Sequence, residues 1–310
     1  RGVTIRDNEI AGLSDLTYGR RGDGLYLYRA AGAEVRENRI TGMRDAIYLQ
    51  YSPRCRVIGN RIGQSRYGLH DMFSDDAEIR GNTFSDCSAG ANVMNCERIQ
   101  IVGNRFTSNR GVSSVGLSLK ECDRSAMRDN DVIDNARGLQ LEGSSGNRLT
   151  GNRFVYNDVA LWLFSSAEEN VFAENEFRDN RSSLVLSGGV STNRFSENGR
   201  GNRWDDYRGF DFDGRGVGSV PHPLLGAFEK LEANNAAARL FFSSPAAGAL
   251  ELAARSVPIA REDLIDPAPL FGPGEAHGRR RSAARGTAAA VLLVGASLLG
   301  SREISACSKS

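Results

Sequence analysis

One histidine and two methionines are the side chains in this chain best placed to do chemistry. His70 and Met72 lie two residues apart in the stretch Gly68-Leu-His-Asp-Met-Phe-Ser-Asp-Asp76, and Met94 follows Met72 by 22 residues. The chain has only three histidines and four methionines in 310 residues. In a β-strand, residues two apart point to one face, roughly 6.6 Å apart along the strand. Imidazole with thioether sulfur makes a soft donor set, of the kind that selects Cu(I). Ordinary surface decoration is the bland alternative. The chemistry needs a scaffold that brings residue 94 beside residue 72.

That scaffold is written as a repeat. An asparagine followed two residues later by an apolar residue recurs at Asn38, Asn60, Asn82, Asn104, Asn130, Asn152 and Asn175, with Asn8 and Asn198 extending the phase. Most steps are 22 residues. A β-branched or apolar residue precedes each asparagine by three, from Val35 to Phe172. A repeat of this size implies a stacked architecture. The units carry apolar runs of only three to five residues between Gly, Asn, Asp and Ser, which reads as short strands with tight corners rather than helices or leucine-rich units. The expectation is a right-handed, single-stranded parallel β-helix of three strands per coil. Its asparagines would form an inward ladder that tolerates left-handed backbone.

On that lattice, positions ten and twelve after each asparagine form two outward columns: Tyr48 and Gln50, His70 and Met72, Asn92 and Met94, then Ser118 and Lys120, Gln140 and Glu142, Trp162 and Phe164. The interleaving positions, such as Ile47, Leu49, Val93 and Leu119, face the core. Met94 therefore stacks on Met72, about 4.8 Å away by coil spacing. Asp71 falls on the inward side, where a carboxylate needs a partner or the strand must bulge.

Composition narrows the alternatives. A formal net charge of +1 leaves no electrostatic footprint for nucleic acid. Cys55, Cys87, Cys96, Cys122 and Cys307 include no Cys-x-x-Cys pair, against a zinc module. Cys96 and Cys122 share a column of adjacent coils; buried fillers and a disulfide both remain open there, and thiolate metal ligation is a third reading. Asp211-Phe-Asp213-Gly resembles half of a calcium loop, with Arg215 and Ser219 where further acids would help.

The coils span 1–204, with N-terminal coils or a cap expected before Arg1 because solenoid ends need covering. Residues 205–270 read as a C-terminal cap and partner-docking segment, with one amphipathic helix from Phe241 to Ala254. Residues 271–310 read as a basic and apolar tail, expected to be disordered. Its apolar run from Thr287 to Gly300 is short of the roughly 20 residues needed to span a bilayer.

The chain resembles the NosD family, periplasmic copper-binding accessory proteins of nitrous oxide reductase maturation. The resemblance rests on GLHDMFSDD at Gly68, NVMNCERIQIVGNRF at Asn92, NRGVSSVGLSLKECD at Asn109, GNRWDDYRGFDFDGRGVG at Gly201, and FFSSPAAGALELAARSVP with DPAPL. It covers roughly residues 1–270 and departs from the family's pattern at Asp71, Arg215 and Ser219. It implies a non-enzymatic periplasmic protein that passes Cu(I) toward the reductase's copper–sulfide site, with His70, Met72 and Met94 as ligands. Implied partners are ABC transporter permease subunits at the inner membrane, the reductase and a periplasmic copper donor lipoprotein. The competing class for this fold is a polysaccharide lyase, hydrolase or epimerase, for which Asp75 and Asp76 are the nearest acids to His70. A purely structural or adhesive solenoid is a further alternative.

Overall fold

Each coil contributes one strand to each of three parallel sheets. The computed structural model describes residues 2–13, 15–225 and 264–271. The first sheet runs through eight strands from Thr4–Arg6 to Val171–Ala173, and the second through nine from Glu9–Ala11 to Arg203–Trp204. The third has eight, from Leu25–Tyr28 to Ser182–Ser187, and carries the His/Met columns. The result is a parallel β-solenoid of about seven turns. The first coil is longer and contains a 3-10 turn at Tyr18–Arg20.

The asparagine ruler is a hydrogen-bonded ladder. Asn38, Asn60, Asn82, Asn104, Asn130, Asn152 and Asn175 each give backbone N–H and side-chain Nδ2–H to the Oδ1 of the next asparagine. The last rung, Asn202, donates to Asp266, which also accepts Trp204 Nε1–H at 2.9 Å. Asp266 is thus a buried cap on the ladder's open end, where the 264–271 segment returns to the solenoid. The core beside the ladder is filled by stacked rings, Phe84 on Phe106 and Phe154 on Phe177 on Trp204.

The left-handed residue at this corner is the one before each asparagine. Glu37, Gly59, Gly81, Gly103, Asp129, Gly151 and Glu174 all have φ between 56° and 67°. The asparagine itself stays extended and aims its amide inward. Four coils use glycine there; Glu37, Asp129 and Glu174 bear the Cβ penalty of about 1–2 kcal/mol. Glu37→Gly should therefore stabilise the fold by up to about 1 kcal/mol after the glycine entropy cost. A rise in the urea midpoint checks it, and a fall would count against the strain assignment.

A second ladder explains the cysteines. Ser52, Ser74, Cys96, Cys122 and Ser144 occupy one column at the corner that follows the third sheet. Ser52 N–H donates to Ser74 Oγ, Ser74 N–H to Cys96 Sγ, and Cys122 N–H to Ser144 Oγ. Cys96 and Cys122 pair in register as the column counting predicts. Both are buried free thiols. Each donates to the carbonyl two residues back, Met94 O at 3.1 Å and Lys120 O at 3.3 Å, as Ser74 and Ser144 do. They take the filler reading. Hydrogen bonding with Cys122 and burial hold the Cys96 thiol protonated.

The Phe241 to Ala254 helix and the Thr287 to Gly300 run lie outside the described residues. Among the described residues no helix is long and apolar enough to cross a membrane.

Candidate metal centre

The third sheet places its columns as counted. Tyr48, His70, Asn92 and Ser118 are successive register partners, and so are Gln50, Met72, Met94 and Lys120. The strands Tyr67–Met72 and Ala89–Glu97 supply the three predicted donors. All three share the outer face. Register is unbroken through Asp71, which pairs with Leu49 and Val93, so no bulge turns it outward. Asp71 is fully buried.

The outward column is more covered than period-two counting suggests. His70 is only 9% exposed, and Met72 and Met94 are half-buried. Tyr48 stacks flat on the imidazole, with ring centroids 4.4 Å apart and planes 9° from parallel. Tyr67 meets it edge-on at 5.0 Å. A strand's alternation fixes which face a side chain takes and says nothing of which neighbours lean over it.

The sequence reading missed the residue that orients this histidine. His70 Nδ1 lies 2.9 Å from Asp45 Oδ2. Asp45 is also gripped by Arg66, whose Nε and Nη2 donate to it at 2.7–2.9 Å. Burial pushes the Asp45 carboxyl up. The hydrogen bonds from His70 and Arg66, with the Arg66 charge, outweigh that and hold it below its ordinary value. An ionised carboxylate only accepts, so Nδ1 carries the proton and, in the neutral ring, Nε2 keeps its lone pair. A signal was present: Asp23 with Arg44 and Asp45 with Arg66 are each 21 residues apart, one short of a coil, and both pairs are ion pairs.

The sulfurs have neighbours too. Tyr48 Oη–H donates to Met72 Sδ at 3.5 Å, and Asn92 Nδ2–H to Met94 Sδ at 3.1 Å. Burial, with the Tyr26, Asp45 and Asp23 charges, raises the Tyr48 phenol, which keeps it a donor at neutral pH. Among the described residues no three His, Cys, Asp or Glu side chains gather as a metal site. A site here therefore depends on thioether donors.

Other candidates are committed elsewhere. Asp211 accepts Gly214 N–H and Gly216 N–H at 2.8 Å each, and Asp213 is paired with Arg215. Those carboxylates serve a turn. Asp75 accepts Glu97 N–H, and Asp76 pairs with Arg98. Further along the same face a groove of about 470 Å³ is lined by Arg110, Arg137, Trp162 and Arg181. Arg137 lies over the Trp162 ring at 4.3 Å, and Tyr26, Tyr48 and His70 stack on one another. Tyr26 and Tyr28 on the same sheet remain about half exposed.

A family model described as periplasmic copper-binding protein (NosD) matches residues 5–209. A "Probable ABC transporter binding protein NosD" of Pseudomonas aeruginosa is 31% identical over 140 residues, covering 44% of this chain and 32% of that protein. A protein of the same description from Stutzerimonas stutzeri is 26% identical over 123 residues, covering 40% and 28%. The match thus spans about a third of each relative's length. Among solved structures, the A-module of the Azotobacter vinelandii mannuronan C-5 epimerase AlgE6 superposes with a TM-score of 0.55 at 13% identity, over 63% of this chain and 57% of that one. A periplasmic alginate epimerase AlgG gives 0.50 at 16% identity, over 63% and 50%. At such identity the likeness is one of fold.

Proposed function

The chain belongs to the NosD family of periplasmic copper-binding proteins, and from that premise we propose that His70, Met72 and Met94 take Cu(I) as cargo and hand it on. The destination is the copper–sulfide site of nitrous oxide reductase during its assembly. The partners are that reductase, the permease subunits of an ABC transporter at the inner membrane, and a periplasmic copper donor lipoprotein. The relatives' names, which speak of ABC transporter binding, support the transporter link.

One observation carries the reading. Imidazole and two thioethers occupy adjacent coils of one sheet face in unbroken register, with Met94 directly over Met72 and Asp45 fixing the His70 tautomer. Neutral thioethers need no deprotonation to bind, and soft sulfur with imidazole suits Cu(I). A carboxylate on the far ring nitrogen is the usual second partner of a ligating histidine. Three neutral donors without thiolate leave the ion's positive charge uncompensated at the first contact, which favours release over storage. The protein's role in this reading is transfer, not catalysis.

The test is direct. A crystal soaked with Cu(I) or Ag(I) should show one anomalous peak within bonding distance of His70 Nε2, Met72 Sδ and Met94 Sδ. A peak elsewhere, or none while solution binding persists, rejects the assignment.

A second reading has one specific observation behind it. Asp45, His70, Tyr48 and Arg66 together could act as base, acid and cation on a uronate polymer. Against it, Asp75 and Asp76 are held by Glu97 N–H and Arg98. Turnover of uronate-rich polysaccharide that is lost in His70→Ala would favour this reading.

A further inference from the structure

Both thioethers of the copper site accept hydrogen bonds from side chains that flank it. Tyr48 sits one coil before His70 in its column, and Asn92 one coil after. The Tyr48 hydroxyl reaches Met72 Sδ, and the Asn92 amide reaches Met94 Sδ. Each bond engages sulfur electron density that a metal ion would draw on. Thioether sulfur is a weak acceptor, so such bonds give way to a Cu(I) ion yet re-form when it leaves.

Resting on the copper reading above, we propose that Tyr48 and Asn92 are affinity-setting residues. They compete with Cu(I) for the methionine sulfurs, and so keep the hold on the ion loose enough for transfer. Capture exchanges two N–H or O–H to sulfur bonds for two metal–sulfur bonds. Release restores the first pair without any rearrangement of the backbone. The two donors are neutral, and their removal leaves the three ligands in place. Tyr48→Phe keeps the ring that stacks on His70 and removes only the hydroxyl. Asn92→Ser installs the residue that Ser118 already has at the next register position.

The experiment is a competition titration of Cu(I) between the protein and a chromophoric chelator, with the release rate read by stopped-flow transfer to excess chelator. Ag(I) serves as a redox-inert second probe. Each substitution should tighten binding about threefold to tenfold, the value of one ordinary hydrogen bond, and slow release correspondingly. Unchanged or weaker binding in variants with wild-type circular dichroism overturns the inference; weaker binding would make Asn92 or Tyr48 a supporting contact. Asn92→Ala is the second variant should Asn92→Ser fold poorly. If the wild-type protein captures no Cu(I), the copper reading fails and this inference with it. If the wild type binds and His70→Ala/Met72→Ala/Met94→Ala does not, while both single variants match the wild type, only this inference fails.

Discussion

Asp71→Val is expected to stabilise the solenoid by several kcal/mol near neutral pH and to flatten its pH profile. Asp71 lies between Leu49 and Val93 in an otherwise apolar inward column. Both its carboxyl oxygens are buried without a hydrogen-bond partner. Burial pushes its pKa up to about 8. The folded chain therefore keeps this proton in a range where the unfolded chain, titrating near 3.9, has lost it. Stability from this group is full below about pH 4, falls as pH rises, and reaches its floor above about 8. The loss is on the order of 5 kcal/mol across that window, at 1.36 kcal/mol per unit. Valine removes both this loss and the buried unpaired carboxyl. Asp266 is also raised by burial, so the informative quantity is the wild-type minus variant difference in urea unfolding free energy. A difference that does not change from pH 4 to 8 would refute the assignment. Asp71 separates His70 from Met72 on one strand, so the coil's strongest breach of the packing rules sits directly behind the proposed ligands, where such breaches concentrate.

Most of the lattice was legible because the ladder asparagine has no substitute that both donates and accepts in one short amide. Its spacing fixed the coils as far as Asn175, the columns and the pairing of residues 72 and 94; the next rung is Asn202 rather than Asn198, which lies left-handed in the turn between Glu197 and Arg200. The corner chemistry was misplaced by one residue. Glu37, Asp129 and Glu174 do not look like left-handed residues, and their conformation is imposed by the inward aim of the asparagine that follows. Cys96 and Cys122 belong to a Ser/Cys ladder whose serines, spread over separate coils, read as ordinary corner residues. The Asp45–His70 contact was hidden for a different reason. Asp45 pairs in register with Tyr67, three positions from His70 along the strand, and reaches it diagonally on the adjacent coil. Column counting finds neighbours that stack, and diagonal contacts depend on side-chain length and lean. The covering of His70 by Tyr48 and Tyr67 is of the same kind.

Removing the three donors should abolish Cu(I) capture, and removing Asp45 should weaken it in a way that separates orientation from charge. His70→Ala/Met72→Ala/Met94→Ala leaves the apolar inward column untouched, so the solenoid should persist while chelator competition falls to background. Asp45 touches no bound ion; it acts through the imidazole. Loss of such a partner typically costs about 10–100-fold in metal affinity. Asp45→Asn can still accept the Nδ1 proton, and so keeps the tautomer while losing the negative charge. Asp45→Ala loses both and frees the Arg66 guanidinium beside the site. The expected order is therefore wild type, then Asp45→Asn near tenfold weaker, then Asp45→Ala near a hundredfold. A merely structural Asp45 would instead lower the unfolding midpoint and leave the affinity of the folded fraction unchanged. Met72→Ala and Met94→Ala taken singly should each weaken Cu(I) while leaving Zn(II), which does not favour thioethers, unaffected. If Zn(II) and Cu(I) respond alike to the methionine changes, the sulfurs are not the donors. The soft-ion reading would then lose the feature that sets this sheet face apart from any other stacked histidine.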